Sequence, residues 1–171
     1  MSDPSIFGLL GSARGEGNTG TIARAVFDRL DDARLFDLDD VAVGPYRYDY
    51  ANEDDDFLPL AFKMTRARAI VFASPVYWYS MSGPMKLFFD RLTDLTETHK
   101  TWGKSLAGKT MFVIASGGSP APHAAFEPPF SETAGYFDMA YGGMLYGQRG
   151  AIDDDAASAF AARIRAAAGQ S

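Results

Sequence analysis

The chain has no cysteine among its 171 residues. That excludes a disulfide framework, a thiol nucleophile, and zinc or an iron–sulfur cluster held by thiolates. It also lacks a long apolar run. No stretch approaches the roughly 20 residues a helix needs to cross a bilayer. The start, MSDPSIFGLLGSARG, has no basic segment, and its apolar run is too short for a secretion signal. An excess of basic residues is missing too: the net charge is −6, so the footprint of a nucleic-acid binder is absent. The expectation is a cytoplasmic protein without membrane or nucleic-acid partners. Two acidic runs, Glu53–Asp56 and Asp153–Asp155, read as solvated loops and helix starts. No internal repeat appears, and the length suits one domain over residues 1–171.

Apolar runs are present where a sheet buried on both faces needs them. Ile6–Leu10, Ala33–Leu38, Ala69–Ser74 and Thr110–Ala115 read as strands, and Ala140–Tyr146 as a weaker fifth, interrupted by Gly142 and Gly143. Four-residue spacing of Ile22, Val26 and Leu30, and of Phe160 and Ile164, marks helices between and after them. Pro84 suits the first turn of another helix, with Ser82 as its cap. A further helix is expected over Phe130–Met139. Alternating strands and helices imply an α/β fold. Five strands fit a flavodoxin-like three-layer sandwich, with a five-stranded parallel sheet in the order 2-1-3-4-5, better than a six-stranded dinucleotide domain. Such sheets bind ligands outside the carboxyl ends of their strands. The loops after strands 1, 3 and 4 are Gly11–Thr21, Pro75–Pro84 and Ser116–Pro129, the least ordinary stretches of the chain.

The first loop, GSARGEGNTGT, is rich in small donors. Its glycines let backbone approach a ligand, Ser12, Asn18 and Thr19 add donors, Arg14 adds charge, and free N–H groups at a helix start favour an anion. A nucleoside-triphosphate loop would need Gly-Lys-Ser/Thr, and there is no lysine here. Gly15, Gly17 and Gly20 formally match a dinucleotide fingerprint with Asp37 downstream, but begin too far beyond the strand. A phosphate monoester such as that of FMN needs only a compact loop of donors. After the third strand, SPVYWYSMSGPMKLFFDR presents Tyr77, Trp78 and Tyr79 together. Alternation would leave at least one ring at the open mouth of the sheet, where a flat ring system such as isoalloxazine covers it.

These two motifs, GSARGEGNT and SPVYWYSMSGPMKLFFDR, resemble the flavodoxin-like NAD(P)H-dependent FMN reductases, over roughly Ser5–Gly147. The group is related to the iron–sulfur flavoproteins and the quinone reductases of flavodoxin fold. The resemblance implies that Ser12, Arg14, Gly17, Asn18 and Thr19 hold the FMN phosphate. Pro75, Val76, Tyr77, Trp78, Tyr79 and Ser80 would border the ring, and Ser116, Gly117 and Gly118 its pyrimidine side. Cluster-bearing relatives place cysteines before the third strand; here stand Tyr46, Tyr48 and Tyr50, which are expected to pack that connection. The implied activity is an enzyme with FMN as cofactor and NAD(P)H as co-substrate, its electrons passing to a small acceptor such as a quinone or flavin. The chemistry is the flavin's, so no catalytic side chain and no metal are assigned. His123 and Phe126, in the third loop, are candidates for lining and covering the acceptor pocket. One ring of the Phe88–Phe89 pair is expected to be uncovered in the protomer, in keeping with a homodimer or homotetramer. The rivals are a flavodoxin-type electron carrier and a dinucleotide dehydrogenase without flavin.

Overall fold

The computed structural model describes residues 3–52 and 54–170; Glu53 of the first acidic run lies outside the described residues. Five strands form one parallel sheet: β1 Ile6–Leu10, β2 Ala33–Asp37, β3 Ala69–Pro75, β4 Thr110–Gly117 and β5 Ala140–Gln148. Their order is β2-β1-β3-β4-β5, the flavodoxin-like order expected, with every neighbouring pair parallel. The helices are α1 Asn18–Phe27, α2 Phe57–Arg66, α3 Gly83–Arg91, α4 Asp94–Glu97, α5 Lys100–Lys104, α6 Pro128–Tyr136 and α7 Asp154–Ala168.

Period-two alternation sorts each strand between two cores. Phe7, Leu9, Ile70, Phe72, Met111 and Val113 face α2, α3 and α6. Ile6, Leu10, Val71, Phe112 and Ile114 face α1 and α7, meeting Ile22, Val26, Phe160 and Ile164. Burial on both faces is why the central strands read as unbroken apolar runs. Gly8 in β1 is required by this packing, since a Cβ there would lie 2.2 Å from the Phe27 ring. The weak fifth strand is explained by a bulge. Tyr141 pairs with Met111 and Gly143 with Phe112, so Gly142 is the extra residue, and a Cβ on it would meet the Phe112 ring at 2.2 Å.

Ser82 caps α3 as expected, accepting from the Met85 N–H at 3.2 Å. The second acidic run does start a helix: the Asp153 carboxylate accepts from the N–H groups of Asp155 and Ala156. Asp55 and Asp56 of the first run instead fasten the segment before α2, accepting from Gly44 and Ala42 at 2.8 Å each. Buried Arg91 joins that segment to α3 through Asp55, Asp94 and the Asn52 carbonyl. Tyr46 meets both Tyr48 and Tyr50 edge-on, with Tyr48 exposed, so they pack the connection mainly upon itself. The expected uncovered phenylalanine is found only in part, since Phe89 is half-buried. Phe88 is buried and Phe89 packs edge-on against Phe72 and Phe130; the exposed apolar residue of α3 is Leu87.

Candidate functional site

The loop between β1 and α1 is folded tightly on itself. The Gly11 N–H donates to Ala73 and the Gly17 N–H to Arg14, at 2.8 and 2.9 Å, while the Ser82 hydroxyl donates to the Gly11 carbonyl. Ser12 is buried, and its hydroxyl donates to the Arg14 carbonyl at 3.0 Å. Gly20 lies so close to the preceding turn that a Cβ would fall 1.8 Å from the Gly15 carbonyl. Gly15 in turn lies against Asp37, whose Oδ2 would be 2.5 Å from an added Cβ. The glycines of the apparent dinucleotide fingerprint are therefore spent on closing this loop. Burial pushes the Asp37 carboxyl above the usual aspartate range, and the carboxylate caps the turn after β2 through the Asp39 N–H at 3.0 Å.

The first residue of α1 follows Gly17 as N-cap, so Asn18 and Thr19 are not the caps an ordinary turn would use. Among the described residues no side chain caps this helix. The N–H groups of Asn18, Thr19 and Gly20 have no acceptor among the described residues. Thr19 and Ser116, both buried, share a hydroxyl–hydroxyl bond of 2.6 Å that ties α1 to the end of β4. One hydroxyl of such a pair must donate, which leaves the other proton free for a ligand.

Two clefts open here. The first, about 210 Å³, is lined by Ser12, Arg14, Gly17, Asn18 and Thr19 on one side and by Pro75, Val76 and Tyr77 on the other. Ser116, Gly117 and Gly118 form its floor, and Arg149 stands at its edge. No carboxylate is among these residues. The second cleft, about 340 Å³, shares Val76, Gly117 and Gly118 with the first and continues to Trp78, Tyr79, His123 and Tyr146. Gly118 is open, with nothing within 4 Å of a Cβ placed there, and its N–H has no protein acceptor among the described residues.

The aromatic loop is a two-residue hairpin. Tyr77 and Ser80 exchange both backbone bonds, at 2.9 and 3.0 Å, and φ is +47° at Trp78 and +71° at Tyr79. Positive φ at both central positions is the type I′ pattern, which favours Asn-Gly. Bulky residues there cost about 1–3 kcal/mol each. Turn geometry, not strand alternation, thus puts the rings outward, Trp78 with 92% of its surface exposed. Ser80 lines neither cleft and serves to close the hairpin.

Two residues of the site, Tyr146 and Arg149, come from outside the three loops that the sequence marks. Tyr146 lines the second cleft and donates to the Ser119 carbonyl at 2.6 Å, holding the third loop. Arg149 follows β5 and stands at the edge of the first cleft. The available signal was topological: β5 neighbours β4, so its carboxyl end borders the same mouth. Phe126, expected in a lid, is instead wholly buried against Phe130, with ring centroids 5.4 Å apart. Glu127 beside it accepts from the Tyr141 hydroxyl at 2.8 Å. His123 does border the second cleft. Its Nδ1 accepts from the Ala125 N–H at 3.1 Å, and its ring meets Tyr79 edge-on at 5.1 Å. A larger hollow of about 470 Å³ lies between α4, α5 and the end of α6. Its charged groups, Lys100, Lys104 and Asp138, are all exposed, and they are of opposite sign, with the Asp138 carboxylate beside the two lysines.

A dianionic phosphate fits the first cleft: unpaired N–H groups, hydroxyls and arginines converge where no acid competes. A flat ring fits the second, between exposed aromatics and bare glycine backbone. The geometry defines an α/β protein with a pocket suited to an anion at a helix start and a flat, aromatic-edged pocket beside it. The chain belongs to the NADPH-dependent FMN reductase family, whose model matches residues 4–128. It is 27% identical to YwqN of Bacillus subtilis, whose name places it with the NAD(P)H-dependent FMN-containing oxidoreductases. That match covers 63% of this chain and 64% of YwqN, so it spans just under two thirds of the relative's length. An iron–sulfur flavoprotein of Archaeoglobus fulgidus is 26% identical, over 92% of this chain and 77% of its own. The solved structure of the Trp repressor binding protein from Bacillus subtilis superposes with a TM-score of 0.68 at 26% identity, covering 93% of this chain and 96% of that one.

Proposed function

We propose that this chain binds FMN with its phosphate in the first cleft and its ring in the second, and transfers electrons from NAD(P)H to a small acceptor such as a quinone or a flavin. The observation that carries the reading is the joining of the two clefts along Val76 and Gly117–Gly118: a cationic, donor-rich pocket opens directly onto a flat aromatic one.

In this reading the Asn18, Thr19 and Gly20 N–H groups, with Ser12 and Arg14, hold the phosphate. The N–H groups of Trp78, Tyr79 and Gly118, free among the described residues, offer donors to the ring's polar edge. When bound, the flavin supplies the redox chemistry, accepting hydride from the nicotinamide and passing two electrons onward. Donors fixed beside the ring favour charge that develops on it. No side chain is assigned proton transfer in the first half-reaction. For the second, His123 is suited to orient the acceptor. With Nδ1 held as an acceptor, the neutral ring carries its proton on Nε2 and can donate it to a carbonyl oxygen.

Among the described residues no helix is long and apolar enough to cross a membrane, and a cytoplasmic homodimer or homotetramer is part of the proposal. The exposed Trp78, Tyr136 and Leu87 support association; light scattering that finds a monomer at micromolar concentration would remove that part. The activity is tested by mixing protein, FMN and NADPH without oxygen. Rapid loss of the oxidised flavin spectrum is expected. A flavin that binds but stays oxidised would make the chain an electron carrier, to which its net charge of −6 is also suited.

A further inference from the structure

We infer that Arg149 is a second cation for the phosphate of the flavin nucleotide, delivered by the turn after β5, outside both loop motifs of the sequence. The inference rests on the FMN reading above and extends it to a residue that lies beyond the matched 4–128 segment.

Four observations converge on this turn. Arg149 lines the same cleft as Ser12, Arg14, Asn18 and Thr19. The turn is fixed against that cleft from two sides: the Arg149 N–H donates to the Gly117 carbonyl at 2.8 Å, and Gly150 presses on Asn18, so that a Cβ there would lie 3.0 Å from its side chain. Arg149 has no ionic partner among the described residues, whereas Arg24, Arg29, Arg47, Arg66 and Arg91 each hold a carboxylate. Finally, φ is +52° at Arg149 and +84° at Gly150. Glycine or asparagine suits the first of these positions better than arginine, so the local backbone does not account for the residue. A phosphate monoester carries close to two negative charges at neutral pH. Arg14 alone would leave half of that unmatched in a cleft without other charged side chains.

The test is a fluorescence titration with FMN and with riboflavin, which lacks the phosphate, on the full chain and on Arg149→Gly and Arg149→Lys. Glycine takes the left-handed backbone without strain, so the variant should unfold at the same or a higher temperature in the absence of flavin. Arg149→Gly should weaken FMN about 10- to 100-fold, the scale of a charge-assisted hydrogen bond, and leave riboflavin unchanged. Arg149→Lys should recover part of the loss. The inference is overturned if FMN affinity in Arg149→Gly stays within about twofold of the parent, or if FMN and riboflavin weaken together. It is overturned as well if only the KM for NADPH rises, which would assign the cation to the co-substrate. A parent chain that binds neither flavin would bring down the FMN reading itself, and this is seen before any variant is made.

Discussion

The phosphate cleft and the aromatic hairpin touch along Val76, yet they are built in opposite ways. The cleft is tight and fully bonded. Gly15 and Gly20 of its loop leave no room for a Cβ, the hydroxyls of Ser12, Thr19 and Ser116 are buried and paired, and the N–H groups at the start of α1 remain unpaired among the described residues. The hairpin holds itself together with two backbone bonds and carries large rings in a backbone conformation that suits glycine. Preorganised polar groups make affinity and discrimination, because they need no rearrangement on binding. Exposed rings on a strained turn are poorly covered until a flat partner lies on them. The contrast predicts that changes in the cleft act on whether flavin is held, and changes in the hairpin act on what the flavin does.

Gly20→Ala should give the largest effect. Its Cβ would collide with the Gly15 carbonyl, a backbone atom that can yield only by opening the loop. A loss of about 3 kcal/mol in unfolding free energy and of detectable FMN binding is expected from denaturant titration and fluorescence. Thr19→Val comes next. It keeps the shape but leaves the buried Ser116 hydroxyl without its partner, which costs about 1–3 kcal/mol and weakens FMN. The hairpin should respond with the opposite sign. Replacing Trp78 by Asn and Tyr79 by Gly supplies the residues a type I′ turn prefers, so stability should rise by about 1 kcal/mol or more, while flavin reduction and acceptor turnover fall. If that double variant loses stability, the hairpin rings are structural and the contrast breaks.

His123→Ala should raise the KM for the acceptor several-fold while FMN affinity stays put. The smallest effect belongs to Asp37→Asn. Because burial raises the folded-state pKa of Asp37, folding binds a proton in that window. Stability is fully present below the ordinary aspartate value near 4 and falls as the pH rises through the raised one. Asparagine removes that falling limb and keeps the cap to Asp39, so the variant should be equal or slightly more stable at neutral pH. The same variant separates the dinucleotide reading, in which Asp37 would hold a ribose and its loss would cost NAD affinity.

Strands were the most legible part of the sequence, since burial on both faces writes an uninterrupted apolar run; β1 falls on its expected bounds and β3 within one residue. The helix α2 was passed over. Pro59 interrupts its pattern, although a proline in a first turn removes no needed bond. The short α4 and α5 leave too few turns for any period to show. Site residues inside the loop motifs were readable because small donors, glycines and rings cluster in sequence. Tyr146 and Arg149 were not, because only sheet order carries them to the mouth. Phe126 misled for a different reason: the prolines around it mark irregular backbone, but irregular backbone can still turn a ring into the core. The left-handed pair Trp78–Tyr79 has no sequence signal, since those residue types argue against it.

The most direct test of the account is the ratio of riboflavin to FMN dissociation constants for the unaltered chain at low salt. A cleft built around a phosphate predicts that FMN binds at least about 100-fold more tightly, with the advantage shrinking as salt rises. Equal affinities for the two flavins, or a ratio insensitive to salt, would mean that the loop before α1 does not hold the phosphate, and the assignment of both clefts would fall with it.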